Sequence, residues 1–280
     1  MHPVVALLPR LRRLVRQGHS DAPGPVVDLL GRVGLAGYGV VHLLVGWLAV
    51  QIALGTPAGN ADVQGAVASV ASTRFGEVAL VVGVVCLVAF ALWQLTAAVL
   101  GFRWVSGGGR VRKRVGAVSK AIAMLGLAAA AVAFLGGGRR SGNAGARAAT
   151  ADLLALPAGR LLVAGAAVVV LVIAVAMTYT GVRRTFMDDL DVRHLPEAVR
   201  HGIEILGAIG HVARALALGV VGVLLGTAAL ASDAARAGGL DAALRLLATT
   251  PLGASVLIVV ALGFAAFGLF CIADALTRRA

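Results

Sequence analysis

Arg214 is the residue in this chain with the most chemical potential, because it is a cation about nine residues inside an uninterrupted apolar segment. A charge at mid-helix in a bilayer costs roughly 2.5–3.5 kcal/mol on insertion scales, so such a side chain faces a partner or a pathway. Asp274 is the nearest candidate partner, near the end of the last apolar segment. Counted at ~1.5 Å per residue from the opposite ends of their segments, Arg214 lies ~24 Å and Asp274 ~31 Å deep. An extended Arg spans that difference, so an Arg214–Asp274 ion pair is expected, with His211 at the level of Asp274. The competing reading is that Arg214 snorkels to the headgroups. A functional charge in a pathway is the third. Lys120 lies only about five residues into its segment, where snorkelling is the simpler account. His42 and Gln94 fall inside the first and second segments, and a hydrogen bond between them is expected, since such bonds add about 0.6 kcal/mol on average in membranes.

Other chemistry finds little support. Asp188, Asp189 and Asp191 suggest a cation, but Arg183, Arg184 and Arg193 flank them, and charge balance in a solvated linker is the expected role. Phosphate-binding glycine loops, metal-ligand spacings and nucleophile elbows are absent from the sequence. The expectation is a non-enzyme without a cofactor. Cys86 and Cys271 sit within apolar segments and read as small packing residues.

The elements that must position these residues are membrane helices. Hydrophobic residues make up 59% of the chain and charged residues 14%, against about 25% charged in soluble domains. The apolar residues fall in blocks: roughly Val33–Gly55, Gly76–Gly101, Val115–Gly136, Gly159–Val182, Ile205–Leu230 and Gly253–Leu276. Each block has about 20 residues or more, enough to cross a ~30 Å hydrocarbon core as a helix. The blocks lack the alternation of a barrel strand. The fold class is therefore all-α, a polytopic membrane protein with six transmembrane helices.

Charge sets the expected orientation. The net charge is +12, yet its distribution argues against nucleic acid. Lys and Arg concentrate in the N-terminal tail, between spans two and three (Arg103, Arg110, Arg112, Lys113, Arg114), between spans four and five, and at Arg278 and Arg279. Cytoplasmic loops carry this excess, so both termini are expected inside a bacterial cell membrane. Bacterial origin is suggested by the preference for Arg over Lys together with abundant Ala, Val and Gly. The opposite loop holding Arg139, Arg140 and Arg147 fits least well. In residues 1–30, Val4, Leu7, Leu8 and Leu11 recur at helical spacing among Arg10, Arg12, Arg13 and Arg16. That segment is either an amphipathic helix on anionic inner-leaflet lipids or a disordered basic tail.

The spans repeat. GLAGYGVVHLLVG, GAVSKAIAMLGLA and GHVARALALGVVG open the odd spans and superpose without gaps, aligning Gly34, Gly116 and Gly210. The same superposition aligns Tyr38, Lys120 and Arg214, and then Gly46, Ala128 and Gly222. Small residues at these places let helices approach closely. In the even spans, aligning Gly76, Gly159 and Gly253 superposes Ala97, Thr180 and Asp274, so the acid occurs in one copy only. Short helical stretches precede those glycines: Asp62 to Arg74, Thr150 to Leu156 and Leu240 to Thr250. The chain divides into repeat 1 (31–104), repeat 2 (110–186), a cytoplasmic linker (187–201) and repeat 3 (202–280), three parallel hairpins with pseudo-three-fold symmetry.

The recurring Gly-x-x-x-(Arg/Lys)-x-(small)…Gly at the start of the odd spans resembles the DUF1206 family of bacterial membrane proteins. The third copy fits best, with Gly210, Ala213, Arg214 and Gly222; the second has Lys120 in place of Arg, and the first departs to Tyr38. The resemblance runs from about Gly31 to the C-terminus. It implies a two-helix membrane unit used three times, and no mechanism. The expected function is a scaffold or a protein that binds lipid or an unknown protein partner. The alternative is a small channel or transporter lined by His42, Lys120, His211 and Arg214.

Overall fold

The computed structural model describes residues 25–55, 61–74, 76–100, 107–137 and 142–277. Most of the N-terminal basic segment, expected as an amphipathic surface helix or a disordered tail, lies outside the described residues. The long helices are α1 (Pro25–Ala53), α3 (Gly76–Leu100), α4 (Gly108–Leu135), α6 (Gly159–Arg183), α7 (Glu197–Ala231) and α9 (Gly253–Thr277). All six are long and apolar enough to span a membrane. Helices suit that solvent because each satisfies its own backbone hydrogen bonds. Short helices α2 (Val63–Ala71), α5 (Gly142–Leu154) and α8 (Leu240–Ala248) join them pairwise on the side away from the basic loops. The second of these starts at Gly142, well before the expected Thr150. Its polar first turns carry no apolar period by which to recognise them.

One steric device recurs at all three short helices. Gly76, Gly159 and Gly253 open the even spans, and each lies against backbone at the end of the preceding short helix: Val70 O, Leu153 O and Ala248 O. A Cβ there would collide with main chain, so glycine sets how tightly the chain turns into the span.

The helices pack in the order α6, α7, α9, α1, α3, α4. The seams between successive repeats are α3–α4, α6–α7 and α9–α1. Two repeats also pack internally, α1 on α3 and α7 on α9. Among the described residues α4 and α6, the two spans of the second repeat, share no such seam. The six-helix ring is therefore open on one side.

The linker between α6 and α7 is not a solvated strap. Thr185–Asp189 forms a 3₁₀ turn, and Phe186, Leu190 and Val192 are buried in the core half nearest the basic loops, with Phe90, Met124 and Phe270. Its acids have separate fates. Asp188 and Asp191 are exposed, while Asp189 takes a 2.6 Å ion pair from Lys113 of α4. This pair ties the open edge of the ring to the plug. Cys86 and Cys271 are both buried, as thiols rather than a disulfide.

Candidate functional site

The aligned positions of the repeat divide the packing work. Gly34 and Gly210 serve the internal seams. A Cβ on Gly34 would sit 2.6 Å from Cys86 O of α3, and one on Gly210 would sit 2.6 Å from Phe267 Cα of α9. Gly116 breaks the pattern, since a Cβ there would meet nothing within 4 Å. The second glycine position serves the seams between repeats. Gly46 lies against Ala261 O of α9, and Gly222 against Leu171 of α6. Ala128 takes this place in the second repeat and is buried.

Between these positions the first and third repeats meet. Arg214 Nη2 donates to Tyr38 Oη at 2.7 Å. The guanidinium carbon sits 4.0 Å from the ring centroid of Phe267 and 5.6 Å from that of Tyr38. The expected Arg214–Asp274 ion pair is therefore replaced by a phenol and two aromatic faces. The physical reason is that a ring face attracts a guanidinium without needing a second buried charge. Asp274 is buried on α9 and lies, with Arg214 and Lys120, within electrostatic reach of His211.

Both histidines are held by their own helices. His42 Nδ1–H donates to Tyr38 O at 2.8 Å, and His211 Nδ1–H to Gly207 O at 2.7 Å. A carbonyl only accepts, which fixes Nδ1 as the donor nitrogen. His42 packs on Phe264 and Phe267, with centroids 5.9 Å and 4.9 Å away. His211 stacks on Phe186 of the linker plug at 5.1 Å and meets Phe267 edge-on at 5.2 Å. Phe267 thus touches Tyr38, His42, His211 and Arg214 together.

The expected His42–Gln94 bond is not made. The His42 donor goes to Tyr38, and Gln94 Nε2 is buried without a hydrogen-bond partner. Lys120 is exposed on α4. Of the predicted polar residues, the fold therefore gathers Arg214, His42 and His211 around Phe267 and leaves Gln94 apart. A shallow surface hollow of about 360 Å³ on α6, lined by Val175, Thr178, Tyr179, Val182 and Arg183, includes none of them. Among the described residues of this cluster, no side chain pairs a nucleophile with a base.

A second polar cluster has no recognisable motif in the sequence. The loop ends opposite the basic side are joined in a cycle of hydrogen bonds. Gly142 N donates to Asp62 Oδ2 at 3.1 Å. Gly239 N and Ala242 N donate to Asn143 Oδ1 at 3.0 and 3.1 Å. Ala61 N donates to Asp241 Oδ1 at 2.9 Å, and Asn143 Nδ2 to Asp241 Oδ2 at 2.8 Å. The first loop thus accepts from the second, the second from the third, and the third from the first. Asp62 also caps α2 by accepting from Gly65 N. The available signal was an Asp or Asn near the start of each short helix.

Similarity to known proteins matches this geometry. The model of a domain of unknown function, DUF1206, matches at residues 33–101, 115–184 and 209–278. Each match begins beside one of the aligned glycines and ends with an even span. The chain is 28% identical over 253 residues to the uncharacterized protein YxxB of Bacillus subtilis (strain 168), covering 89% of this chain and 90% of that one. No solved structure matches. Three copies of one helix pair, each opening on the same glycine, make this multi-pass membrane chain a member of the DUF1206 family.

Proposed function

We propose that the protein is a non-enzymatic scaffold of the bacterial cell membrane that binds lipid or a protein partner, with its basic loops and both termini in the cytoplasm. The observation that carries this reading is the state of Arg214. A conducting or transporting centre needs its charges turned toward water. Here the guanidinium lies on Phe267 and donates to Tyr38, and the rings of His42 and His211 are stacked on phenylalanines. These groups are used in holding the repeats together. Orientation follows from the Lys/Arg excess, which favours the cytoplasmic side.

Proteoliposomes test it. Wild-type protein reconstituted beside protein-free vesicles is expected to add no proton, potassium or chloride flux. A flux that disappears in Arg214→Met would replace this reading with a transport pathway.

A further inference from the structure

Two buried nitrogens on the seam between α3 and α4 have no hydrogen-bond acceptor. Gln94 of α3 is 3% exposed, and its Nε2 is unpartnered. Arg114 of α4 is half-buried, and its Nε is unpartnered too. On the face of α3 turned to α4, Leu80 and Val84 cluster with Ala131 and Phe134. At helical spacing that face continues through Ala91, Gln94 and Ala98, all buried. Arg114 Nη2 donates to Val99 O at 3.0 Å, which places the guanidinium at the basic end of the same face. Gln94 lies five residues back along α3, ~7.5 Å deeper. The next buried residues of α4 after Arg114 are Ala117 and Ala121, which offer the amide only methyl groups.

The repeats separate what is structural here from what is not. Arg32 is aligned with Arg114, two residues before the repeat glycine, and its Nη1 donates to Ala275 O at 3.0 Å, near the end of α9. Each arginine thus caps the last turn of an even span in the neighbouring repeat, where a cation also suits the helix dipole. Capping accounts for Nη2 of Arg114 and leaves Nε unexplained. In the even spans the residues aligned with Gln94 are Met177 and Cys271. Apolar side chains serve this position in two repeats of three, so packing does not call for an amide.

A guanidinium edge and an amide N–H both require oxygen acceptors, and the guanidinium favours an anionic one. Arg114 immediately precedes the apolar block that begins at Val115, so it stands at headgroup level. Val99 beside it is 69% exposed, which opens this end of the seam to the bilayer. A phosphate at the headgroup and an ester carbonyl below it is the acceptor pattern of a glycerophospholipid. Inorganic phosphate would meet the arginine alone. We infer that the basic end of the α3–α4 seam binds one anionic glycerophospholipid, with its phosphodiester on the Nε–Nη2 edge of Arg114 and an ester carbonyl on Gln94 Nε2. Binding moves the guanidinium from Val99 O onto the phosphate. This rests on the lipid-binding half of the function proposed above and names the ligand class and its residues.

The test uses full-length protein in nanodiscs of phosphatidylcholine and phosphatidylglycerol, with native mass spectrometry counting retained lipid. Wild type is expected to keep one phosphatidylglycerol in preference to phosphatidylcholine. Arg114→Gln lowers that preference about fivefold, the scale of one basic residue near an anionic surface, and Arg114→Lys recovers most of it. Arg32→Gln, which breaks the aligned cap, leaves the preference unchanged. Gln94→Met weakens both lipids about threefold, the scale of one intramembrane hydrogen bond. With diether phosphatidylglycerol, which has no ester carbonyl, Gln94→Met and wild type retain lipid equally. Equal retention of the ester lipids by wild type, Arg114→Gln and Gln94→Met overturns the inference. So does an equal loss in Arg32→Gln, because retention would then follow the stability of the seams. A thermal shift with inorganic phosphate in phosphatidylcholine discs, abolished by Arg114→Gln, also overturns it in favour of a free anion. The flux assay reads the scaffold proposal separately, so either can fail alone.

Discussion

Tyr38 of the first repeat and Arg214 of the third occupy the same aligned position, and their side chains are joined at 2.7 Å. Divergence at that position is therefore complementary: one copy supplies the acceptor and the other the donor. With Phe267 beneath the guanidinium, a mid-membrane charge is stabilised by π-faces and a hydroxyl without a counter-ion. A double-mutant cycle of Tyr38→Phe and Arg214→Met, read as unfolding free energy in detergent–lipid mixtures, is expected to give a coupling of about 1 kcal/mol, within the range for membrane hydrogen bonds. The matching cycle of Arg214→Met and Asp274→Asn is expected to stay additive within about 0.5 kcal/mol. The reverse ranking would restore the ion pair.

The aligned glycines are predicted to respond with opposite signs. Ala is favoured over Gly in a helix by about 1 kcal/mol. Gly116→Ala should therefore leave stability unchanged or raise it, since its Cβ enters open space. Gly34→Ala and Gly210→Ala push a Cβ to 2.6 Å from Cys86 O and Phe267 Cα, and overpacking of this kind costs about 1–3 kcal/mol. Melting temperatures of the three purified variants decide the point. Equal losses at all three would mean that the second hairpin is closed.

The spans, their pairing into repeats and the small-residue seams were legible because lipid imposes length and hydropathy, and glycine marks close approach. The open second hairpin was not, because Gly116 looks like Gly34 in sequence and differs only in what stands opposite. Asp274 reads as the partner of Arg214 because opposite charge is easy to count along a chain, whereas the face of Phe267 becomes a partner only once α7 and α9 pack. Gln94 and His42 share the first hairpin, which makes them read as a pair, but the backbone carbonyl of Tyr38, one turn from His42, takes the histidine's donor. The linker plug was masked by its acids: three aspartates outweighed Phe186, Leu190 and Val192, which are the residues the fold buries.

The hydrogen-bonded cycle opposite the basic side should be the costliest polar feature to break. Asp241 is 2% exposed and accepts from Ala61 N, Asn143 Nδ2 and Arg245 Nε. Asp241→Ala leaves buried donors unpaired, at about 1–3 kcal/mol for each such group. Arg245→Ala removes only the half-exposed partner of an i,i+4 pair, worth about 0.3–0.5 kcal/mol. Thermal unfolding should separate the two variants clearly, with Asn143→Ala close to Asp241→Ala because it breaks three hydrogen bonds between the second and third loops. Similar small shifts for all three would show that the loops associate without the cycle.

Gln94 offers the converse case. Its side chain is 3% exposed, and Nε2 has no hydrogen-bond partner. A buried amide that keeps an unmet donor costs about 1–3 kcal/mol, while an apolar side chain of similar shape carries no such penalty. Gln94→Met is expected to raise stability by about 1 kcal/mol, since methionine adapts to irregular gaps with little strain. The readout is the midpoint of thermal unfolding in a fixed detergent, with His42→Phe as the control that leaves Gln94 untouched. If His42→Phe and Gln94→Met each destabilise and their effects fail to add, the two side chains share a bond. If Gln94→Met alone stabilises, the donor is carried for a reason other than the stability of the fold.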